Sequence, residues 1–224
     1  MDDPGGGDRK SVSAPPALVT DPDELARKDA SNALRQADAV TALIEGALSG
    51  PQAFKLRPSI LLRLNRFALE GTNSFAGNYR PSGIYITGSR HQPPPVDEVP
   101  GLVEDMCEYI NQHFATKSAL HLAAYVMWRV NWIHPFDDGI GRTARAASYL
   151  ALCVKLGYRL TGKKSILKMI EENKGPYYKA LEAADAAWAD NGRVDLTVLE
   201  GLLEKLLGAL LVSVLEEAKG QSIA

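Results

Sequence analysis

The stretch His134-Pro135-Phe136-Asp137-Asp138-Gly139-Ile140-Gly141-Arg142-Thr143-Ala144-Arg145 decides how this chain reads. Residues 142–156 are rich in strong helix formers, so residues 139–141 fall at a helix N-terminus. There the unbonded N–H groups and the positive end of the helix dipole make an anion site. Gly139 and Gly141 let the backbone approach a phosphate with no Cβ between. Arg142 and Arg145 on the first turn are opposed by that same dipole, so the pair points to an anionic ligand or a carboxylate partner. Asp138 lies just before the turn, where a carboxylate holds Mg²⁺ against a polyphosphate. His134 is the one side chain of the group with a pKa suited to taking a proton near neutral pH. Taken singly, the histidine reads as structural, Asp-Asp-Gly as a turn and the arginines as a solvated face. Their conjunction at fixed spacing points to chemistry on a nucleoside triphosphate.

Working outward, Ala33, Ala37, Val40, Ile44 and Leu48 recur at helix spacing, with Ser31 as the expected N-cap and Ser49-Gly50-Pro51 as the stop. A second helix is expected over 58–69 with Ile60, Leu61, Leu64 and Phe67 as its apolar stripe. Residues 75–92 change character. Gly77, Pro81, Gly83 and Gly88 surround Ile84-Tyr85-Ile86-Thr87, which predicts one short β-hairpin. Beyond Pro93-Pro94-Pro95 only helices follow, at about 96–113, 117–132, 141–157, 164–172, 175–189 and 195–218. His121, Tyr125, Trp128 and Trp132 form an aromatic stripe that reads as core, and Arg90 and His91 read as a flexible polar loop. The fold class expected is mostly α with one small β-flap.

The composition narrows the function. A chain of 224 residues that is 46% hydrophobic can bury a full core, and its net charge of −2 offers no basic field for nucleic acid. Cys107 and Cys153 lie in apolar helical contexts, as reduced core thiols do. Residues 1–20 are polar and rich in breakers, so they read as a disordered tail and not as a secretory leader. No apolar run is long enough for a membrane span, which leaves a cytoplasmic protein as the expectation.

HPFDDGIGRTAR resembles the Fic-domain signature, HxFx(D/E)GN(G/K)RxxR, at every defined position but one. Gly77-Asn78-Tyr79-Arg80 with Ile84–Thr87 and Pro93-Pro94 is similar to the family's β-flap. Tyr177-Tyr178-Lys179-Ala180-Leu181, with Asp185 beyond, resembles the region beside the nucleotide base. The resemblance runs over residues 31–215. It implies a Fic-type helical bundle that transfers AMP from ATP to a Ser, Thr or Tyr hydroxyl of a target protein. By that likeness His134 is the base, Asp138 holds Mg²⁺, the backbone of Gly139, Ile140 and Gly141 forms the anion hole, and Arg142 and Arg145 clamp the phosphates. Tyr177, Tyr178 and Asp185 would meet the nucleotide, and Ile84, Tyr85, Ile86, Thr87 and Gly88 would pair with an extended target segment. Gly141, where kinase-like members carry Lys, favours AMP transfer over phosphate transfer.

Thr41-Ala42-Leu43-Ile44-Glu45-Gly46 also fits the family's inhibitory pattern, (S/T)xxxE(G/N). The likeness implies that Glu45 pairs with Arg145 and obstructs the γ-phosphate. The domains expected are then an inhibitory helix region over 21–50, a core over 51–190 and a C-terminal helix over 191–224, whose leucines serve the core or a homodimer. Ile140 is the departure. Asn is usual there, and Ile offers neither donor nor acceptor, a loss worth roughly 10²–10³ in rate for one anion-hole donor. A slow adenylyltransferase, a nucleotide-binding regulatory pseudoenzyme, and a de-AMPylase or other-donor transferase all remain open.

Overall fold

A carboxylate starts the first helix. Asp21 accepts from the Glu24 N–H at 2.7 Å, and Pro22 occupies the first turn, where its missing N–H leaves nothing unpaired. Helix α1 (Pro22–Ser49) therefore begins ahead of Ser31, because Asp-Pro-Asp-Glu supplies a cap, a preset φ and acids for the dipole together. The computed structural model describes residues 11–12, 18–50, 52–162, 165–172 and 174–221. The other helices lie within a few residues of expectation: α2 (Pro58–Leu69), α3 (Val99–His113), α4 (Ala119–Ile133), α5 (Ile140–Leu156), α6 (Ile166–Glu172), α7 (Lys174–Asn191) and α8 (Thr197–Gln221).

Helices α4 and α5 form the centre. Most of α4 is buried, including Leu122, Ala123, Val126, Trp128 and Val130, so it has apolar residues nearly all round. Ala144, Ala147 and Ala151 on α5 are fully buried, and Ser148 Oγ donates to the Ala123 carbonyl at 2.8 Å across the pair. Small residues at such a contact bring two helix axes close. The α1–α2 pair covers one side of α5, while α3, α7 and α8 enclose α4. Buried amides lock α1 down: Asn32 donates to the Glu70 carbonyl and Gln36 to that of Leu64, each at 2.9 Å.

The aromatic stripe of α4 is core, with Tyr125 and Trp128 buried and His121 paired with Glu200 at 2.8 Å. Cys107 and Cys153 are buried free thiols, and burial pushes Cys107 up to about 12. Helix α8 buries Leu199, Leu203 and Leu210 against its neighbours and exposes Leu211, Val212 and Leu215. No described helix is long and apolar enough to cross a membrane.

The flap is not the hairpin expected. Its strand, β2 (Tyr85–Ile86), pairs with β1 (Ser11–Val12) from the N-terminal segment, antiparallel, with Ser11 opposite Ile86 and Val12 opposite Tyr85. Residues 87–88 do turn, but Pro93-Pro94-Pro95 follows too soon, and proline has no N–H to give a returning strand. The tail read as disordered therefore holds a strand at residues 11–12. Residues 1–10 and 13–17 lie outside the described residues.

Candidate active site

Helix α4 ends where it does because of the proline after it. A residue preceding proline is disfavoured in the right-handed helical region, and His134 adopts φ 52°, ψ 56° instead. Its N–H still closes the last turn on the Val130 carbonyl at 3.0 Å. A left-handed histidine costs about 1–2 kcal/mol, so something must hold it. Arg80 does. This side chain is buried, its Nε donates to the His134 carbonyl at 2.8 Å, and its other nitrogens donate to the carbonyls of Ser82 and Pro94. Its backbone N–H adds a bond to the Pro135 carbonyl at 2.9 Å. Phe136, fully buried beside the Tyr79 ring, pins the other side of the loop. One arginine thus fastens both ends of the flap to the loop that carries His134.

The His134 ring is buried, with Nδ1 3.2 Å from the Asn131 carbonyl. A carbonyl only accepts, so Nδ1 carries the proton and Nε2 is the basic nitrogen. Burial pushes the pKa down to about 4; the Asn131 carbonyl opposes that shift, and the charges of His91 and Arg80 add to it. The ring is therefore neutral through the physiological range.

Helix α5 begins four residues past Phe136. Gly139 is its N-cap in a left-handed conformation (φ 72°), and no side chain caps the helix. A Cβ at Gly139 would lie 3.1 Å from Asn65 Nδ2 and from Leu69, so both conformation and space call for glycine. Asn65, fully buried on α2, donates to the Asp138 carbonyl at 2.9 Å and accepts from the Gly77 N–H at 3.0 Å. Asp138 Oδ1 accepts from the Gly139 N–H at 2.6 Å, and Oδ2 lies 3.6 Å from Arg142. Arg142 also meets Asp29 of α1 at 3.0 Å and donates to the Ala68 carbonyl at 3.0 Å.

These groups open onto a cleft of about 670 Å³. His134, Asp138, Gly139, Ile140, Gly141, Arg142 and Arg145 line it. Tyr177, Tyr178 and Asp185 of α7 also line it. This part of the lining is wired back to α4, since Asn131 donates to the Tyr177 hydroxyl and Trp128 Nε1 donates to Asp185, each at 2.8 Å. Of the flap residues singled out, Ile86 lines the cleft, while Ile84, Tyr85, Thr87 and Gly88 do not. Ile140 is among the cleft-lining residues and also belongs to the hydrophobic core, at 5% exposure.

Two expectations change. Glu45 does not reach Arg145: its carboxylate is 63% exposed and faces Arg159 at 3.9 Å. Thr41, Glu45 and Gly46 lie toward the C-terminal end of the helix whose Asp29 lines the cleft. Sixteen residues of α-helix separate Asp29 from Glu45, about 24 Å at 1.5 Å per residue. His91, read as part of a flexible loop, is held by Nε2 2.7 Å from the Trp132 carbonyl and by its ring against the Trp132 indole, and it lines the cleft.

As for a metal, no cluster of three or more His, Cys, Asp or Glu side chains exists among the described residues. One exposed carboxylate, Asp138, at a helix N-terminus suits Mg²⁺ carried largely by substrate phosphates and water, which is that ion's usual manner, and not a cage built by protein.

Residues 55–152 match the Fic/DOC family model. The protein adenylyltransferase Fic of Drosophila persimilis is 30% identical over 100 residues, 44% of this chain and 19% of the fly protein. The chain thus aligns with about a fifth of that relative. A Fic domain containing signaling protein from Bacteroides thetaiotaomicron superposes with a TM-score of 0.65 at 22% identity, covering 84% of this chain and 71% of that one. The BepC protein of Bartonella tribocorum, solved with bound AMPPNP, gives 0.52 at 16% identity over 84% and 88%.

Proposed function

We propose, from the match of residues 55–152 to the Fic/DOC family model, that the chain transfers AMP from ATP to a hydroxyl side chain of a protein. The observation that carries the reading is the buried His134, held in one tautomer and facing a cleft it shares with two arginines and an uncapped helix N-terminus. A base, an anion site and two phosphate-matching forks are what in-line attack on a phosphorus requires. A related fold with bound AMPPNP supports an adenine nucleotide as the donor.

In this reading the acceptor hydroxyl gives its proton to His134 Nε2, its oxygen bonds the α-phosphorus, and pyrophosphate leaves. The Nδ1–H bond to Asn131 keeps Nε2 aimed and basic as it takes that proton. The N-terminus of α5 receives phosphate oxygens, while Arg142 and Arg145 hold the polyphosphate. Asp138 would hold Mg²⁺, which supplies charge neutralisation on the phosphates. Tyr177 and Tyr178 on α7 line the cleft and would meet the nucleoside. The same geometry supports a second reading, binding without useful turnover, because Ile140 brings no polar atom to the anion site.

Incubation with Mg²⁺ and α-labelled ATP tests both. Label on protein that is lost in His134→Ala supports transfer. ATP binding without label in the wild type, with label gained in Ile140→Asn, assigns the chain to the second reading. Label from the γ-position in place of the α-position overturns AMP transfer.

A further inference from the structure

All three tryptophans of the chain gather around one buried arginine. Arg129, on α4, is 6% exposed, and its Cζ lies 4.1 Å from the Trp132 ring centroid, 4.8 Å from that of Trp188 and 5.4 Å from that of Trp128. Ring faces attract a cation, but they do not replace the hydrogen bonds its N–H groups can make. Nε and Nη1 are sealed from solvent without a partner. Nη2 has no partner among the described residues either and is not sealed, so the guanidinium opens outward at that nitrogen. No carboxylate among the described residues pairs with it, and Asp105, whose charge it feels, is exposed. Burial accordingly holds its pKa below the ordinary value, with Tyr125 and Asp105 opposing the shift. Trp128 Nε1 donates to Asp185 at 2.8 Å, whereas the part-exposed Trp132 and Trp188 have no acceptor for their N–H groups among the described residues. The open polar atoms of the cluster are therefore all donors.

We propose that this cluster is a carboxylate site, and that it takes an acidic side chain of the protein segment entering the cleft. The partner rests on the transfer reading above, the chemistry on the cluster itself. Donors without an acceptor call for one, and a buried cation favours an anion. A singly charged carboxylate suits it better than a phosphate, since Asp105 and Asp185 already stand near this one guanidinium. Trp132 ties the cluster to the cleft. It meets the guanidinium on one hand and His91 on the other, whose ring lies 5.6 Å away and whose Nε2 meets the Trp132 carbonyl at 2.7 Å. His91 lines the cleft with Ile86 and Ser89, so a segment laid along these residues arrives at Trp132. Five chain positions, about 7.5 Å along the α4 axis, separate Arg129 from His134. An extended segment advances about 3.3 Å per residue, so, allowing for the width of the helix, the acid falls about three to five residues from the reacting hydroxyl.

Because Trp128, Trp132 and Trp188 are the chain's only tryptophans, tryptophan emission reads this site without nucleotide or turnover. The full chain is titrated with a hexapeptide holding one threonine and, four residues on, an aspartate, and with its asparagine counterpart. Emission is expected to change saturably with the aspartate peptide and to need about tenfold more of the asparagine one, the worth of one hydrogen bond to a charged group. High salt is expected to narrow the difference. Arg129→Met keeps much of the packing and loses the charge, and is expected to erase the preference. Trp132→Phe keeps a ring and loses the N–H, and is expected to reduce it. Thermal unfolding and ATP binding show whether each variant is folded, and if Arg129→Met is not, Trp132→Phe decides. No response, an equal response to the two peptides, or a preference unchanged in the deciding variant overturns the proposal. So does sodium acetate or inorganic phosphate acting at the concentration of the aspartate peptide, since the site then reads a small anion and not a protein segment. With Mg²⁺ and α-labelled ATP, the aspartate peptide is expected to show a KM about tenfold lower at the same kcat. Preferential binding without label overturns the transfer reading and leaves the carboxylate site standing, whereas label without preference does the reverse.

Discussion

Ile140 occupies two environments at once, for it belongs to the apolar core and also lines the cleft at the N-terminus of α5. An asparagine there would bring a donor to the phosphates and also place an amide where the core now has carbon. Ile140→Asn is therefore expected to raise label transfer about 100-fold and to lower stability by about 1–3 kcal/mol, read by initial labelling rates and by thermal unfolding. His134 makes the second residue-level prediction. Its folded pKa of about 4 leaves the base neutral over a wide range, so the rate is expected to be flat above about pH 5 and to fall only as pH approaches 4. A rate that halves near pH 6.5 would mean the ring is not buried as described. Arg80 works through other groups: Arg80→Lys keeps the charge but loses the fork that spans three carbonyls, at a cost on the order of 3 kcal/mol.

Among the elements, α1 changes meaning most. Its sequence carries an inhibitory-type hexapeptide around Glu45, yet its ion pair with the motif helix is Asp29 on Arg142, sixteen residues before Glu45. That pair is partly exposed, so it competes with a phosphate only modestly and weakens with salt. Asp29→Ala is expected to tighten ATP binding about two- to fivefold at low ionic strength, with the gain shrinking at high salt, whereas Glu45→Gly leaves binding unchanged. Titration calorimetry on the two variants separates them, and a gain from Glu45→Gly alone would restore the hexapeptide to an inhibitory role. Helix α2 contributes Asn65, which joins the Asp138 carbonyl to the flap at Gly77. Its signal was present in the sequence: an amide on the buried stripe of Leu61, Leu64 and Ala68 must find partners.

For the whole molecule, the depressed His134 pKa is also a statement about stability. The unfolded chain takes a proton on this residue near pH 6.5, whereas the folded chain resists until about pH 4. This contribution is complete above about pH 6.5 and is lost as pH falls toward 4. Denaturant midpoints are expected to drop across that window, and to drop less steeply in His134→Gln. The sequence by itself determined the helical class, most helix positions and the placing of His134 just ahead of a glycine-started helix N-terminus, because periodicity, caps and motif spacing are local properties. Only the tertiary structure decided who meets whom. Glu45 fits a pattern, but helix rise carries it away from Arg145 and brings Asp29 in. His91 looks like loop, but the Trp132 carbonyl fixes it. The flap looks like a hairpin, but its strand takes Ser11–Val12 from seventy-odd residues upstream. Contacts between distant segments depend on packing direction and backbone hydrogen bonds that remain unpaired until the chain closes, and neither is written in any one stretch of residues.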